Sequence, residues 1–344
     1  MAGGRRELQV FNGVYEVVEV DLERIPDDAS FDAEAVVSVV SRGTELRVAS
    51  GDTPFATNDF DFRHRRFKHW DTPDTVALGY QWVGRVVRTC EEGPSLGSLV
   101  NVFAPHGDRH RIALNGRWSE VPPGLPPAEA CLLVSVQVAL KSVHDSGLLP
   151  GERVVVIGAG VIGLLVARVL RACGYDTAVI GTRDAGLALA SAAGAYTARV
   201  DRRAFDALAV LERVGMNDGP GADVVIDTSG SSDALDCALT MLRPHGRLVV
   251  TSFLGSAPAP LRLGAEFHHN ALEIVSSQFD WGCGTGARRW TLDRLRENAC
   301  RLLCEGIARG LITNRLDFAD PSASYSMVAR HPGVGYAFGY EADE

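Results

Sequence analysis

The sequence predicts an α/β protein of two domains, one built on a doubly wound parallel sheet and the other rich in β-strand. Three observations predict it. The length of 344 residues suits about two domains. Strand-like and helix-like segments alternate through the middle of the chain, which implies parallel strands joined by helical crossovers. Three glycines at fixed spacing stand where one strand hands over to one helix.

The elements are read in order. The first ~120 residues carry short apolar runs separated by turns. Ala35–Val40, Val83–Val87 and Leu99–Phe103 are suited to strands. The run from Val121 to Pro127 holds four prolines and a glycine. It breaks regular structure, so a domain boundary is expected there, with the second domain starting at 126. Ala128–Ser146 is apolar at helical spacing. Strand Arg153–Ile157, helix Val161–Cys173, strand Thr177–Ile180 and helix Ala185–Ala193 follow, then strand Asp223–Asp227, helix Asp233–Leu242 and strand Gly246–Ser252. Trp290–Glu305 places Leu292, Leu295, Ala299, Leu302 and Leu303 on one side of an amphipathic helix. The remaining tail reads as short and irregular, with strand-like Gly335–Tyr340.

Composition narrows the function. Hydrophobic residues at 46% and charged residues at 22% leave ample material for a core. A formal net charge of -9 argues against a nucleic-acid partner, which would need a basic footprint. No apolar stretch approaches the ~18 residues of a membrane span, and Met1–Val10 has no apolar leader segment. A cytoplasmic protein is expected. The seven cysteines are irregularly spaced with no Cys-x-x-Cys, which argues against a disulfide framework or a structural zinc site.

The strongest motif is Gly158–Ala159–Gly160–Val161–Ile162–Gly163, directly after Val154–Ile157. The first glycine permits a tight turn, the second lets backbone approach a pyrophosphate, and the third lets helix pack on strand. The helix N-terminus then offers unpaired N–H groups to the phosphates. This is the fingerprint of a Rossmann dinucleotide-binding domain. An acid about 20 residues on would bind the ribose 2′-hydroxyl of NAD. Here that position falls on Gly181, followed by Thr182 and Arg183. A small residue makes room for a 2′-phosphate, and Thr182 and Arg183 can hydrogen-bond it. The expected cofactor is therefore NADP(H). Two alternatives stand beside this: Arg183 is a solvated surface residue, or a register a few residues later makes Asp184 the ribose acid.

The residues Ser41–Arg42–Gly43–Thr44–Glu45, Leu78–Gly79–Tyr80–Gln81–Trp82–Val83–Gly84, Ala104–Pro105–His106 and Val275–Ser276–Ser277–Gln278, with the glycine run, resemble the medium-chain dehydrogenase/reductase superfamily. Within it the chain looks closest to the bacteriochlorophyllide-dehydrogenase-like group, near the threonine and polyol dehydrogenases. The resemblance implies a GroES-like catalytic domain from 1–125 and 285–344 around a Rossmann domain at 126–284. It also implies a homodimer or homotetramer. Zinc enzymes of the superfamily carry Cys-Gly-Thr-Asp in the first motif and Gly-His-Glu in the second. Here Arg42, Tyr80 and Gln81 stand at the ligand positions, and Val134 stands where a carboxylate would precede the central helix. None is a good zinc ligand. The cysteine-rich lobe of the structural zinc is also missing, so no metal is expected.

Without zinc, a carbonyl needs another electrophile and a proton donor. Tyr80 is a candidate donor, Arg42 a fixed cation, Thr44 matches the hydroxyl of the superfamily's proton relay, and His106 is an acid/base candidate. Each has a plain alternative: Tyr80 fills vacated space, Arg42 pairs with Glu45 or a phosphate, and His106 is structural. Gln81 and Gln137 are candidate substrate contacts. By position at strand ends, Thr228, Ser229 and Ser252 are candidate cofactor contacts, and the resemblance implies that Ser276–Ser277–Gln278 lies beside the nicotinamide, with Gln278 as a contact. Phe60–Trp70 collects Arg63, Arg65, Arg66 and Lys68 with four aromatics. Arg65, Arg66 and Trp70 are expected to guide an anionic or aromatic substrate, unless the segment is a solvated loop or subunit contact. The leading expectation is zinc-independent, NADP(H)-dependent interconversion of a carbonyl and an alcohol. Reduction of an activated C=C bond and non-catalytic NADPH binding remain as alternatives.

Overall fold

The computed structural model describes residues 4–54, 58–61, 63–69, 75–201, 206–216, 219, 221–256, 259, 261–279, 290–331 and 333–340. Trp70 lies outside the described residues. The chain divides into two compact units.

The first unit comprises Met1–Leu133, Arg309–His331 and Gly335–Glu344. Its main sheet is seven-stranded, in the order Trp118–Glu120, Leu99–Val102, Trp82–Arg88, Ser30–Val39, Gly335–Gly339, Ile312–Asp317, with Arg109–Ala113 also paired to Ser30–Val39. Along Ser30–Val39, Phe31, Ala33, Ala35, Val37 and Val39 are all buried, the period of two that a strand imposes. Phe31, Ala33 and Ala35 pack with Trp82, Val86 and Val100. A smaller sheet begins with the hairpin Gly4–Phe11 and Val14–Asp21. Its turn residues Asn12 and Gly13 both have positive φ, 46° and 78°, as the favoured two-residue hairpin turn requires.

The tail is more regular than its sequence suggests. Strand Ile312–Asp317 pairs in parallel with Gly335–Gly339, and Pro321–Arg330 forms a helix between them. Asp320 caps it by accepting the Ala323 N–H at 3.0 Å, with Pro321 at the first helical position. Asp followed by Pro is a start signal that was present in the sequence.

The second unit comprises Val134–Ala308 and Pro332–Val334. Its six-stranded sheet is wholly parallel, in the order Tyr196–Arg199, Asp176–Gly181, Arg153–Ile157, Ala222–Asp227, Leu242–Val250, Glu273–Ser276. Counted within the unit this is 3-2-1-4-5-6, the doubly wound order expected of a Rossmann domain. The strand order reverses between Arg153–Ile157 and Ala222–Asp227, and ligands bind outside the carboxyl ends at such a switch point. Strand Arg153–Ile157 is buried from Val154 on, as a central parallel strand covered on both faces must be.

Helix Leu292–Cys304, which the sequence reading grouped with the first domain, falls in the second unit. Arg168, on the helix Val161–Ala172, donates to the Ile307 carbonyl at 2.8 Å and ties that region to the unit. The expected helix Ala128–Ser146 is two, Pro127–Ala130 and Leu133–Ser146.

Candidate active site

In the second unit the site is built from backbone. Gly158 has φ +110°, a conformation that costs little only for glycine. Its N–H donates to the Ile180 carbonyl at 2.8 Å. A Cβ on Gly163 would lie 1.8 Å from the Gly158 carbonyl oxygen, so helix Val161–Ala172 reaches the turn only because a side chain is missing there. Thr228 Oγ1 donates to the carbonyls of Ile157, at 3.0 Å, and Gly158, at 3.3 Å, closing the turn from the neighbouring strand. Gly160 is different. It is the helix N-cap, no side chain caps it, and a Cβ there would meet nothing within 4 Å. The first-turn N–H groups of Val161, Ile162 and Gly163 have no carbonyl partner within the helix. Open space over an uncapped helix N-terminus suits an anionic pyrophosphate.

The adjacent strand Asp176–Gly181 ends at Gly181, which is buried against the turn: its Cβ would lie 3.0 Å from that of Ala159. Position 181 therefore faces the glycine turn, and it carries no carboxylate. Thr182 follows, and Arg183 is the N-cap of helix Asp184–Ala192. Asp184 lies in the first turn of that helix, with Arg199 Nη1 on its Oδ2 at 3.0 Å. The register in which Asp184 would be the strand-end acid is thus not the one adopted.

On the other side of the switch point, Ser229 and Ser252 donate their hydroxyls to the buried carboxylate of Asp227. Burial pushes that carboxyl up, and hydrogen bonds from Ser229 and Ser252 pull against the rise. Gln278 follows strand Glu273–Ser276 by two residues. Its neighbour Ser277 has a buried hydroxyl with no partner among the described residues. An orphaned buried hydroxyl costs about 1–3 kcal/mol, and a ligand's polar group would satisfy it. With the open cradle at Gly160, the residues present fit a nicotinamide dinucleotide.

In the first unit the site is built from side chains. Ser41 precedes helix Arg42–Ala49. The Tyr80 hydroxyl donates to Ser41 Oγ at 2.8 Å, and Ser41 Oγ donates to Thr44 Oγ1 at 3.2 Å. Burial pushes the Tyr80 hydroxyl above its ordinary value; the Ser41 hydrogen bond offsets part of this and the Glu45 charge adds to it. Tyr80 thus stays protonated as a donor at neutral pH. Its ring stacks on Phe103 at 5.5 Å.

Glu45 is buried at 2% exposure. Its carboxylate accepts the Ser41 N–H at 2.6 Å, the Tyr325 hydroxyl, and His106 Nε2 at 3.1 Å. His106 Nδ1 meets Ser38 Oγ at 2.7 Å, and Ser38 in turn meets the Tyr340 hydroxyl at 2.8 Å. His106 is 0% exposed and packs against Phe338. With both ring nitrogens engaged and no exposed surface, it does not act on a ligand directly; the expectation of an acid/base role gives way to that of holding Glu45. Gly79, φ +95°, makes room for it: a Cβ there would fall 2.7 Å from the imidazole.

Arg42 also departs from expectation. Its guanidinium donates to the Ala329 carbonyl at 3.0 Å, in the last turn of helix Pro321–Arg330. That interaction completes a helix C-terminus. Gln81 and Gln137 are both buried, the first just before strand Trp82–Arg88 of the first unit and the second on helix Leu133–Ser146. Arg65 and Arg66 are exposed on the hairpin Asn58–Asp61/Arg66–His69, where Asp61 takes Lys68 and His64 as partners. Sequence reasoning missed Ser41 and Asp227 as site residues and read Glu45 only as a partner for Arg42; Ser277 lay inside the stretch Ser276–Gln278 that the resemblance had singled out. Only its strand-end position signalled Asp227.

The donor set does not fit a catalytic zinc. At the positions where zinc ligands would be sought stand a guanidinium engaged with a carbonyl, a phenol engaged with Ser41, a buried amide and Val134. His106 and Glu45 are spent on each other. Among the described residues no three His, Cys, Asp or Glu side chains group to hold a metal ion, and no helix is long and apolar enough to cross a membrane.

Comparison with known proteins bears on both units. A family model described as zinc-binding dehydrogenase matches residues 161–280. D-guloside 3-dehydrogenase of Escherichia coli K12 is 28% identical over 313 residues, covering 84% of this chain and 86% of that one. A protein described as a zinc-binding dehydrogenase from Sinorhizobium meliloti 1021, solved with NADP, superposes with TM-score 0.76 at 17% identity, over 98% of this chain and 100% of that one. One described as a short chain alcohol dehydrogenase from Escherichia coli CFT073, solved with NADH, gives 0.73 at 15% identity, over 98% and 99%. At these identities the two structures speak to the fold.

Proposed function

We propose that the chain, similar to zinc-binding dehydrogenases over residues 161–280 and to D-guloside 3-dehydrogenase over most of its length, is a nicotinamide-dependent oxidoreductase of the medium-chain dehydrogenase/reductase type that prefers NADP(H), works without zinc, and interconverts a carbonyl and an alcohol on a hydroxyl-rich small molecule. The observation that carries the cofactor reading is Gly181: the position facing the glycine turn has no carboxylate, and Thr182 and Arg183 follow it. The substrate class is supported by the similarity to D-guloside 3-dehydrogenase. A homodimer or homotetramer in the cytoplasm is the working assembly, to be checked by light scattering and fractionation.

The bound cofactor supplies the hydride to the carbonyl carbon. Tyr80 would give its hydroxyl proton to the carbonyl oxygen as the hydride arrives at carbon. At rest the hydroxyls donate from Tyr80 to Ser41 and from Ser41 to Thr44; after the transfer they would turn about and pass one proton from water at Thr44 through Ser41 back to Tyr80, so that the new alcohol proton is drawn in net from solvent. The donor set at Arg42, Tyr80, Gln81 and Val134 supports a metal-free reading. It also favours a second one, reduction of an activated C=C bond, in which an enolate oxygen needs hydrogen bonds rather than a Lewis acid.

The test is oxidation of NADPH and NADH against a panel of ketoses, ketones and enones, with product analysis. The expected outcome is turnover of a hydroxylated ketone, undiminished by chelator, with kcat/KM higher for NADPH. Arg183→Ala should lower that preference by about tenfold or more, the worth of a charge-assisted hydrogen bond to phosphate. Tyr80→Phe should lower kcat by about a hundredfold, the low end of acid catalysis, with KM little changed. A preference for NADH that Arg183→Ala leaves alone sinks the cofactor assignment.

A further inference from the structure

Three strand ends align at the carboxyl edge of the parallel sheet beyond the switch point. Asp227 pairs in register with Val250, and Val250 with Ser276. Ser229, Ser252 and Ser277 lie one or two residues past these ends. The Ser277 N–H donates to the Val250 carbonyl at 2.9 Å, and the Ser252 N–H to the Asp227 carbonyl at 3.2 Å, so the serines belong to one row. The hydrogens of most hydroxyls in this row are committed. Thr228 donates to backbone and Thr251 to Ser142. Ser229 and Ser252 both point at the Asp227 carboxylate, which is fully buried.

A carboxylate offers acceptors only. Both serines must therefore donate inward, leaving lone pairs for anything that lies against the sheet edge. Ser229 Oγ gives one lone pair to the Ser231 N–H at 3.1 Å. Ser277 is the complement: its buried hydroxyl has no partner among the described residues and keeps its proton to donate. The row thus presents acceptors at Ser229 and Ser252 and a donor at Ser277.

If the glycine turn holds the pyrophosphate and Gly181–Arg183 the adenosine half, the other mononucleotide falls on the Asp227 side of the switch point. Resting on that cofactor reading, we infer that Asp227 is a positioning residue: it fixes the Ser229 and Ser252 hydroxyls as acceptors for the hydrogen-bond donors of the nicotinamide riboside, while Ser277 donates to an acceptor of the same group. The nicotinamide carboxamide carries both functions, and so do the ribose hydroxyls. Asp227 itself touches no ligand.

The test is binding, read by fluorescence titration without turnover. Asp227→Asn keeps the shape but turns one donor toward a serine, which reverses that hydroxyl. NADPH should then bind about tenfold more weakly, the worth of a lost hydrogen bond and an opposed dipole, while adenosine 2′,5′-bisphosphate, which lacks the nicotinamide half, binds as to the parent chain. Ser252→Ala, which removes an acceptor from the row and leaves Asp227 the two hydrogen bonds from Ser229, should weaken NADPH in the same direction. It serves if Asp227→Asn does not fold. The 3-acetylpyridine analogue of NADPH has no amide N–H. If the carboxamide is the partner, Asp227→Asn leaves its affinity unchanged; if the ribose hydroxyls are, it weakens both dinucleotides equally. An NADPH affinity within about twofold of the parent in Asp227→Asn and Ser252→Ala, too little for a lost hydrogen bond, overturns the inference alone. A parent chain that binds neither NADPH nor the bisphosphate overturns the cofactor reading and the inference with it.

Discussion

The glycine turn of the second unit and the hydroxyl–carboxylate network of the first solve opposite problems. The turn works by leaving side chains out: contiguous residues 158–163 bring backbone N–H groups to open space, and the chemistry is that of a helix end. The network works by putting side chains in. Ser38, Ser41, Thr44, Glu45, Tyr80, His106, Tyr325 and Tyr340 come from five stretches of chain and satisfy one another, with Ser38, Glu45, His106 and Tyr325 buried. A site made of backbone is fixed by sterics over a few residues and tolerates nothing added. A site made of side chains is fixed by mutual hydrogen bonding, and each member costs what its partners lose when they are left unpaired.

The largest expected effect separates two glycines of the same turn. Gly163→Ala would press a Cβ into the Gly158 carbonyl, so it should cost about 3 kcal/mol or more of stability and abolish NADPH binding. Gly160→Ala has space and an ordinary φ of -87°. It should leave stability within about 1 kcal/mol yet weaken NADPH about tenfold or more, because the new methyl group occupies the pyrophosphate's place. Thermal melts beside fluorescence titrations of both variants decide it, and a Gly160→Ala chain that binds normally would break the account of the turn.

Gly79→Ala carries the contrast into the network. It puts a methyl group against the His106 ring at a φ of +95°, and a loss of about 2–3 kcal/mol is expected in denaturant unfolding. NADPH affinity should be unaffected, since the turn lies in the other unit. Equal losses of stability and NADPH binding would mean that the two regions are not independent.

The smallest effect concerns two carboxylates of the first unit, Glu23 and Asp32. Burial pushes the Glu23 carboxyl up, but the nearby His110 ring, 3.8 Å away, and the Arg5 guanidinium that donates to the carboxyl outweigh this and hold the group below its ordinary 4.5, at about 2. Burial likewise raises Asp32, and Arg88 and Arg111 pull it well below the usual carboxylate range. Both are depressed in the fold, so their stabilisation is present above the unfolded values and is lost as pH falls toward the folded ones. Melting temperature should therefore drop between about pH 4.5 and 2, and Glu23→Gln should flatten that drop. An unchanged slope in Glu23→Gln would show that the Arg5–Glu23–His110 cluster contributes nothing there. Asp227 has the opposite sign: its raised value makes the fold more tolerant of acid at that position.

Much of the second unit was legible in advance. Strand Arg153–Ile157, helix Val161–Ala172 and the turn between them follow from residues adjacent in sequence, as does the absence of an acid at Gly181. The tail was not: Ile312–Asp317 alternates weakly, and the Asp320–Pro321 start signal is short. Helix Leu292–Cys304 was legible as a helix but not as a member of the second unit, because amphipathicity says that a face is buried and not against what. Arg42, Tyr80 and His106 were all singled out from motifs, yet their contacts diverge: one donates to a helix-end carbonyl, one donates to the Ser41 hydroxyl, one meets a buried acid.

By itself the sequence determined the parallel sheet, the glycine turn, the missing strand-end carboxylate and the residue types that make zinc ligation improper. Those rest on steric rules and chemical identities that act within a few residues of one another. Only the tertiary structure decided that Glu45 meets His106 and Tyr325, that Ser41 accepts the Tyr80 hydrogen bond, and that two serines donate to Asp227. Hydrogen bonds act over about 3 Å, and which distant residues come within that reach is set by how strands align and sheets pack, a property of the whole fold.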